Sequence, residues 1–169
     1  MDFAALPVIL FALLMIAAGV GDMLSRRIPN LLTLAIAVSF FPSAWALGMG
    51  WGMIALNAAI GVVLLFAGFA LFSLRLFGGG DAKLIAAAGT WFGVQGLWHF
   101  LMLMVFAGGL LAIAIALWWV FAPRAAREKP RRRLFGPGGR KPSVPYCYAV
   151  AAGALLALPE SWWGSNLPL

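Results

Sequence analysis

The sequence predicts an all-α fold: a polytopic membrane helical bundle of about six transmembrane helices. Three observations carry the prediction. Of 169 residues, 64% are hydrophobic and only 10% charged, whereas soluble domains sit near half apolar and a quarter charged. The mean hydropathy is +0.99, and the apolar stretches approach the roughly 20 residues that cross a bilayer. All twelve Lys and Arg fall where a six-span chain puts them on one side of the membrane.

The first span is expected over 4–21. A cleaved signal peptide would want a basic start and a small-residue cleavage site. Here residue 2 is Asp, no Lys or Arg precedes Arg26, and Pro7 interrupts the start, so the segment reads as a retained span. The second span is expected over 31–47, the third over 51–74 and the fourth over 82–98. The fifth is expected over 100–121 and the sixth over 146–158. The fourth and sixth are short. The basic residues support the fourth: Arg26 and Arg27 follow span one, and Arg75 and Lys83 flank the joint between spans three and four. The remaining eight lie between spans five and six. With both termini outside and all six spans crossing, every cation is cytoplasmic, as the positive-inside rule requires. Without the fourth crossing, those eight would lie outside.

The segment 123–145 is rich in Arg, Pro and Gly and lacks apolar periodicity. It is expected to be a cytoplasmic loop attracted to anionic headgroups. The whole of 1–169 reads as a single membrane-embedded domain. Trp45, Trp51, Trp98, Trp118, Trp119, Trp162 and Trp163 fall near span ends, where amphipathic rings favour the headgroup region. Gly61 with Gly68, and Ala107 with Gly108 and Gly109, let helices approach closely. Asn57 is read as interhelical glue and Asn30 as the cap that starts span two.

Composition excludes several function classes. The net charge of +7 reports topology rather than a nucleic-acid partner. The one cysteine, Cys147, cannot form an internal disulfide, and no Cys/His cluster has zinc spacing. It is expected to be a small buried side chain. No metal or cofactor is expected. The one histidine, His99, is expected at the outer face beside Trp98, on the wrong side from the acids to serve a serine or cysteine nucleophile.

Five acids remain: Asp2, Asp22, Asp81, Glu128 and Glu160. Asp2 and Glu160 lie near the chain ends, and Glu128 lies in the basic loop. Asp22 and Asp81 each sit at the cytoplasmic end of a span, at one membrane depth. An ionisable residue there is expensive and reads as functional, although pairing with Arg26 or Lys83 would explain its presence equally well on position alone. The local sequences shift the balance. Gly78-Gly79-Gly80 precede Asp81 and remove side-chain bulk beside the carboxylate, so an extended peptide can approach. Two neighbouring carboxylates share a proton: one can act as base on a water while the other protonates the leaving group.

These residues resemble the prepilin peptidases, aspartyl proteases with a Gly-x-Gly-Asp motif in a polytopic membrane fold. Gly78-Gly79-Gly80-Asp81-Ala82-Lys83-Leu84 resembles the second catalytic motif. Asp22, followed by Arg26-Arg27-Ile28-Pro29-Asn30, resembles the first. Val144-Pro145-Tyr146, opening a small-residue helix, is similar to the last-span motif. The resemblance implies cleavage after a Gly that joins a short basic leader to a hydrophobic helix. The short length is similar to the compact members that serve tight-adherence (Flp-type) pili. There is no extension with paired cysteines, so N-methylation of the pilin is not expected.

The expected catalytic pair is Asp22 and Asp81. Gly78, Gly79, Gly80, Lys83 and Arg26 are expected around the substrate, with Lys83 and Arg26 tuning the pair or orienting headgroups. The expected partners are a prepilin and the lipid bilayer of a bacterial inner membrane, not nucleic acid; a homodimer is left open. The alternative is a small proton- or cation-coupled transporter using the same acids, which would want an acid at the bilayer centre or a broken helix there. A catalytically silent scaffold would tolerate Asn at both positions.

Overall fold

The computed structural model describes residues 5–25, 28–76, 78–121 and 146–166. Among these residues the chain is all-helical, with no strand. The helices are α1 (Leu6–Ser25), α2 (Asn30–Ala46), α3 (Trp51–Ser73), α4 (Gly79–Phe121), α5 (Tyr146–Ala157) and the short α6 (Trp162–Asn166). A 3₁₀ turn, Leu158–Glu160, joins the last two. The basic loop 123–145, Arg26, Arg27, Asp2 and Glu128 lie outside the described residues.

Helix α1 shows how such a sequence sorts its faces. Phe11, Met15 and Ala18 recur at helical spacing and are buried, whereas Leu6, Ile9, Leu13, Ile16 and Val20 are exposed. Both stripes are apolar, so the outward one suits lipid rather than water. The same holds for α3, where Val62, Val63, Phe66 and Phe69 are exposed. Helices α3 and α4 are long and apolar enough to cross a bilayer, yet only 17% of the most apolar window of each is buried within the chain. A soluble core helix would hide most of that surface. The chain is a helical membrane bundle.

Helix α4 contains 43 residues, about 65 Å if straight, against a hydrocarbon core of ~30 Å. It does not run straight. Gly93 takes φ 56° and ψ −159°, a region where a Cβ is strained. A Cβ there would also run into the Asn57 amide of α3. The rings of Phe92 and Phe100 stack with centroids 4.8 Å apart, though eight residues of straight helix rise ~12 Å. The chain therefore turns back at Gly93. The expected joint lay nearer Trp98; the turn comes earlier because Gly93 accepts the backbone angles and Asn57, itself 2% exposed, packs against it.

Contacts along residues 79–92 give the topology. Phe11 of α1 packs against Trp91, while Ile28, just past α1, meets Gly80, so α1 runs antiparallel to this segment. Helix α2 runs parallel: Lys83 bonds Asn30 and Trp91 bonds Ile36. Helix α3 runs antiparallel, with Gly68 against Ala82 and Gly61 against Thr90. Helix α5 runs parallel, with Cys147 on Asp81 and, beyond α5, Trp163 on Trp91. Against 94–121, α5 is antiparallel: Tyr146 meets Gly108 and Gly153 meets Met104. The strokes alternate in direction, giving six passes through the bundle.

Residues 79–92 form the centre. Every residue from Leu84 to Gly93 is buried, and Ala86, Ala87, Ala88 and Gly89 let the surrounding helices approach closely. At the end near Gly93, Phe11, Phe40, Trp91, Phe92, Phe100 and Trp163 are fully buried together. The Trp163 indole N–H donates to the Trp91 carbonyl at 2.6 Å, beside the helix break. Trp91 in turn donates to the Ile36 carbonyl at 2.8 Å. Helix α2 is capped by Pro29, not Asn30, with no side-chain cap bond. Asn30 is already helical, and its side chain is engaged by Lys83.

Candidate active site

Asp22 lies inside α1 rather than just beyond it, because the helix continues to Ser25. It extends the buried stripe of Phe11, Met15 and Ala18 by one more turn, which points it at the bundle. Asp81 lies in the first turn of α4, where the helix macrodipole places partial positive charge. The fourth helix starts three residues before the expected 82, so Gly79 and Gly80 belong to it. Its first turn is anchored by the Ala82 N–H donating to the Gly78 carbonyl at 3.1 Å.

The tertiary structure brings the two acids together. Asp22 and Asp81 are near enough for their charges to interact. Cys147, in the first turn of α5, sits with them: its thiol donates to Asp81 Oδ1 at 2.8 Å and lies near enough to Asp22 to feel its charge. Three helices that are distant in sequence thus each give one group to the same place. The cysteine is 1% exposed, while both aspartates are half-buried. The acids can therefore meet water or a ligand from one side, with the thiol behind them.

The glycine run has a physical reason different from the one expected. Gly79 and Gly80 sit in the helix and do not use positive φ. What the run supplies is room. A Cβ on Gly78 would stand 2.7 Å from Asp81 Oδ2. A Cβ on Gly79 would come 3.3 Å from the Phe72 ring, and one on Gly80 3.3 Å from Ile28. Gly78 alone of the three faces the carboxylate. Lys83 does not turn toward the acids: its Nζ donates to Asn30 Oδ1 at 3.0 Å and ties the start of α4 to the start of α2. Arg26 lies outside the described residues.

Sequence reasoning missed Cys147, which it treated as an inert filler. The signal was present: the predicted topology starts span six on the same side as both acids, so a residue one position past Tyr146 shares their depth. Among the described residues no group of three His, Cys, Asp or Glu could hold a metal ion. The break at Gly93 lies about 18 Å along the helix from Asp81, so no broken helix adjoins the acids.

A model of the type IV leader peptidase family matches residues 9–117. The chain belongs to that family. The matched stretch contains Asp22, Gly78, Gly79, Gly80 and Asp81, and it ends before Cys147. Leader peptidases of this family act on prepilins in a membrane, which agrees with the apolar exterior of the bundle. No curated relative and no solved structure matches the chain.

Proposed function

We propose that the protein is a membrane aspartyl endopeptidase that removes the basic leader of Flp-type prepilins, cutting after a Gly at the cytoplasmic face of the bacterial inner membrane. The observation that carries this reading is the approach of Asp22 to Asp81, which accepts the Cys147 thiol, in a chain of the leader peptidase family. In the proposed mechanism the two carboxylates share one proton. The ionised partner takes a proton from water as the water attacks the scissile carbonyl. The protonated partner hydrogen-bonds the carbonyl oxygen and then supplies the proton to the leaving nitrogen. No acyl-enzyme forms.

The substrate enters as an extended segment past Gly78, which leaves Asp81 Oδ2 clear. Gly79 and Gly80, packed on Phe72 and Ile28, and Lys83, bonded to Asn30, hold the start of α4 in place beside that path, and Arg26 is the proposed cationic substrate contact. The hydrophobic pilin helix stays in the bilayer against the bundle while its leader remains cytoplasmic. Both termini of the enzyme face outward.

The test is cleavage on co-expression with an Flp-type prepilin, following leader removal by mass, with Asp22→Asn and Asp81→Asn at equal expression. Cleavage after the leader Gly by the parent and by neither variant supports the reading. Cleavage by either variant removes the dyad. No cleavage of any pilin, together with a proton or cation flux abolished by the same variants, favours the transporter.

A further inference from the structure

We propose that Cys147 is a positioning residue for Asp81, holding one carboxylate oxygen from behind so that the other faces the substrate side. The inference rests on the peptidase reading above. An aspartate turns about two side-chain bonds, and a catalytic carboxylate loses rate when its oxygens wander from the productive geometry. Here each oxygen has a distinct neighbour. Oδ1 accepts the Cys147 S–H at 2.8 Å, and Oδ2 faces the bare Cα of Gly78. Gly78 is exposed and the thiol is fully enclosed, so the two oxygens face opposite environments. The donor stands in the first turn of α5, a helix locked in place by Gly153 against Met104 and by Tyr146 against Gly108. A thiol suits the position. It is small enough for the tight junction of α1, α4 and α5, and it is a weak donor, which orients the carboxylate without competing strongly for its charge.

The test uses the full chain in nanodiscs. Cys147 is the one cysteine in the sequence, so the infrared S–H stretching band reports this residue alone. The expected result is a band lowered in frequency relative to a free thiol, moved by Asp81→Asn. In cleavage assays, Cys147→Ala is expected to lower kcat about 3- to 10-fold with KM unchanged, the loss of one modest hydrogen bond. Cys147→Ser, which keeps a donor of similar size, is expected to restore most of kcat. A free-thiol band, or a band indifferent to Asp81→Asn, overturns the proposal. So does an Ala variant as fast as the parent, or a Ser variant as slow as Ala. If the band behaves as expected but the parent cleaves no prepilin, the hydrogen bond stands while the peptidase reading, and the positioning role with it, falls.

Discussion

The two ends of the central segment 79–92 are built on opposite principles. At the Gly93 end, six large aromatic side chains are buried together, and their ring centroids lie between 4.6 and 6.2 Å apart where Phe11, Phe40, Trp91 and Trp163 meet. Indole N–H groups there satisfy backbone carbonyls. At the Asp81 end the neighbours are glycines and a thiol, and the two carboxylates stay half-exposed. The first end is closed and holds α1, α2, α4 and α6 in register. The second is left roomy, and the acids are placed by helices whose positions the first end fixes. Stability and chemistry thus occupy different ends of the same short helix, and substitutions at each end should separate them.

The largest effect should come from the acids. Asp22→Asn or Asp81→Asn should each lower the cleavage rate by about 10³-fold or more, the scale of lost acid–base catalysis. Thermal unfolding in detergent should barely change, because neither carboxylate supports the packing. An equal loss of both rate and stability would break the division between the two ends. Next comes Gly93→Ala, which adds a Cβ at positive φ directly against Asn57. It should destabilise the bundle by about 3 kcal/mol, read as a lower unfolding temperature and less monodisperse protein, with activity lost in proportion to the folded fraction.

Gly78→Ala sharpens the comparison at the other end. Its Cβ would press on Asp81 Oδ2, so the rate should fall by about 10- to 100-fold while the unfolding temperature stays near that of the parent. The smallest effect is expected for Trp163→Phe, which keeps an aromatic ring but loses the bulk of the indole and the N–H donated to the Trp91 carbonyl. It should cost about 1–2 kcal/mol for the orphaned buried acceptor and leave kcat per folded molecule unchanged. A Trp163→Phe variant with reduced kcat and full stability would show that the aromatic end also tunes the site.

The amino-acid sequence by itself determined the helical membrane bundle, because long apolar stretches with few charges admit few other arrangements. It also singled out Asp22, Asp81 and the glycine run, because a carboxylate is costly near a bilayer and three consecutive glycines are costly in any helix. Local rules placed α2 and α3 almost to the residue. They were less exact for α4. The turn at Gly93 depends on Asn57, thirty-six residues away in sequence, filling the space a Cβ would take, and no local pattern encodes that contact. Only the tertiary structure decided that Gly78 makes room for Asp81 while Gly79 and Gly80 pack on Phe72 and Ile28. It also decided that Lys83 serves Asn30, and that Cys147 donates to Asp81. Each of these depends on where helices distant in sequence lie against one another. That placement is set by the packing of the whole bundle, with the aromatic cluster at its far end, and not by the residues adjacent to the site.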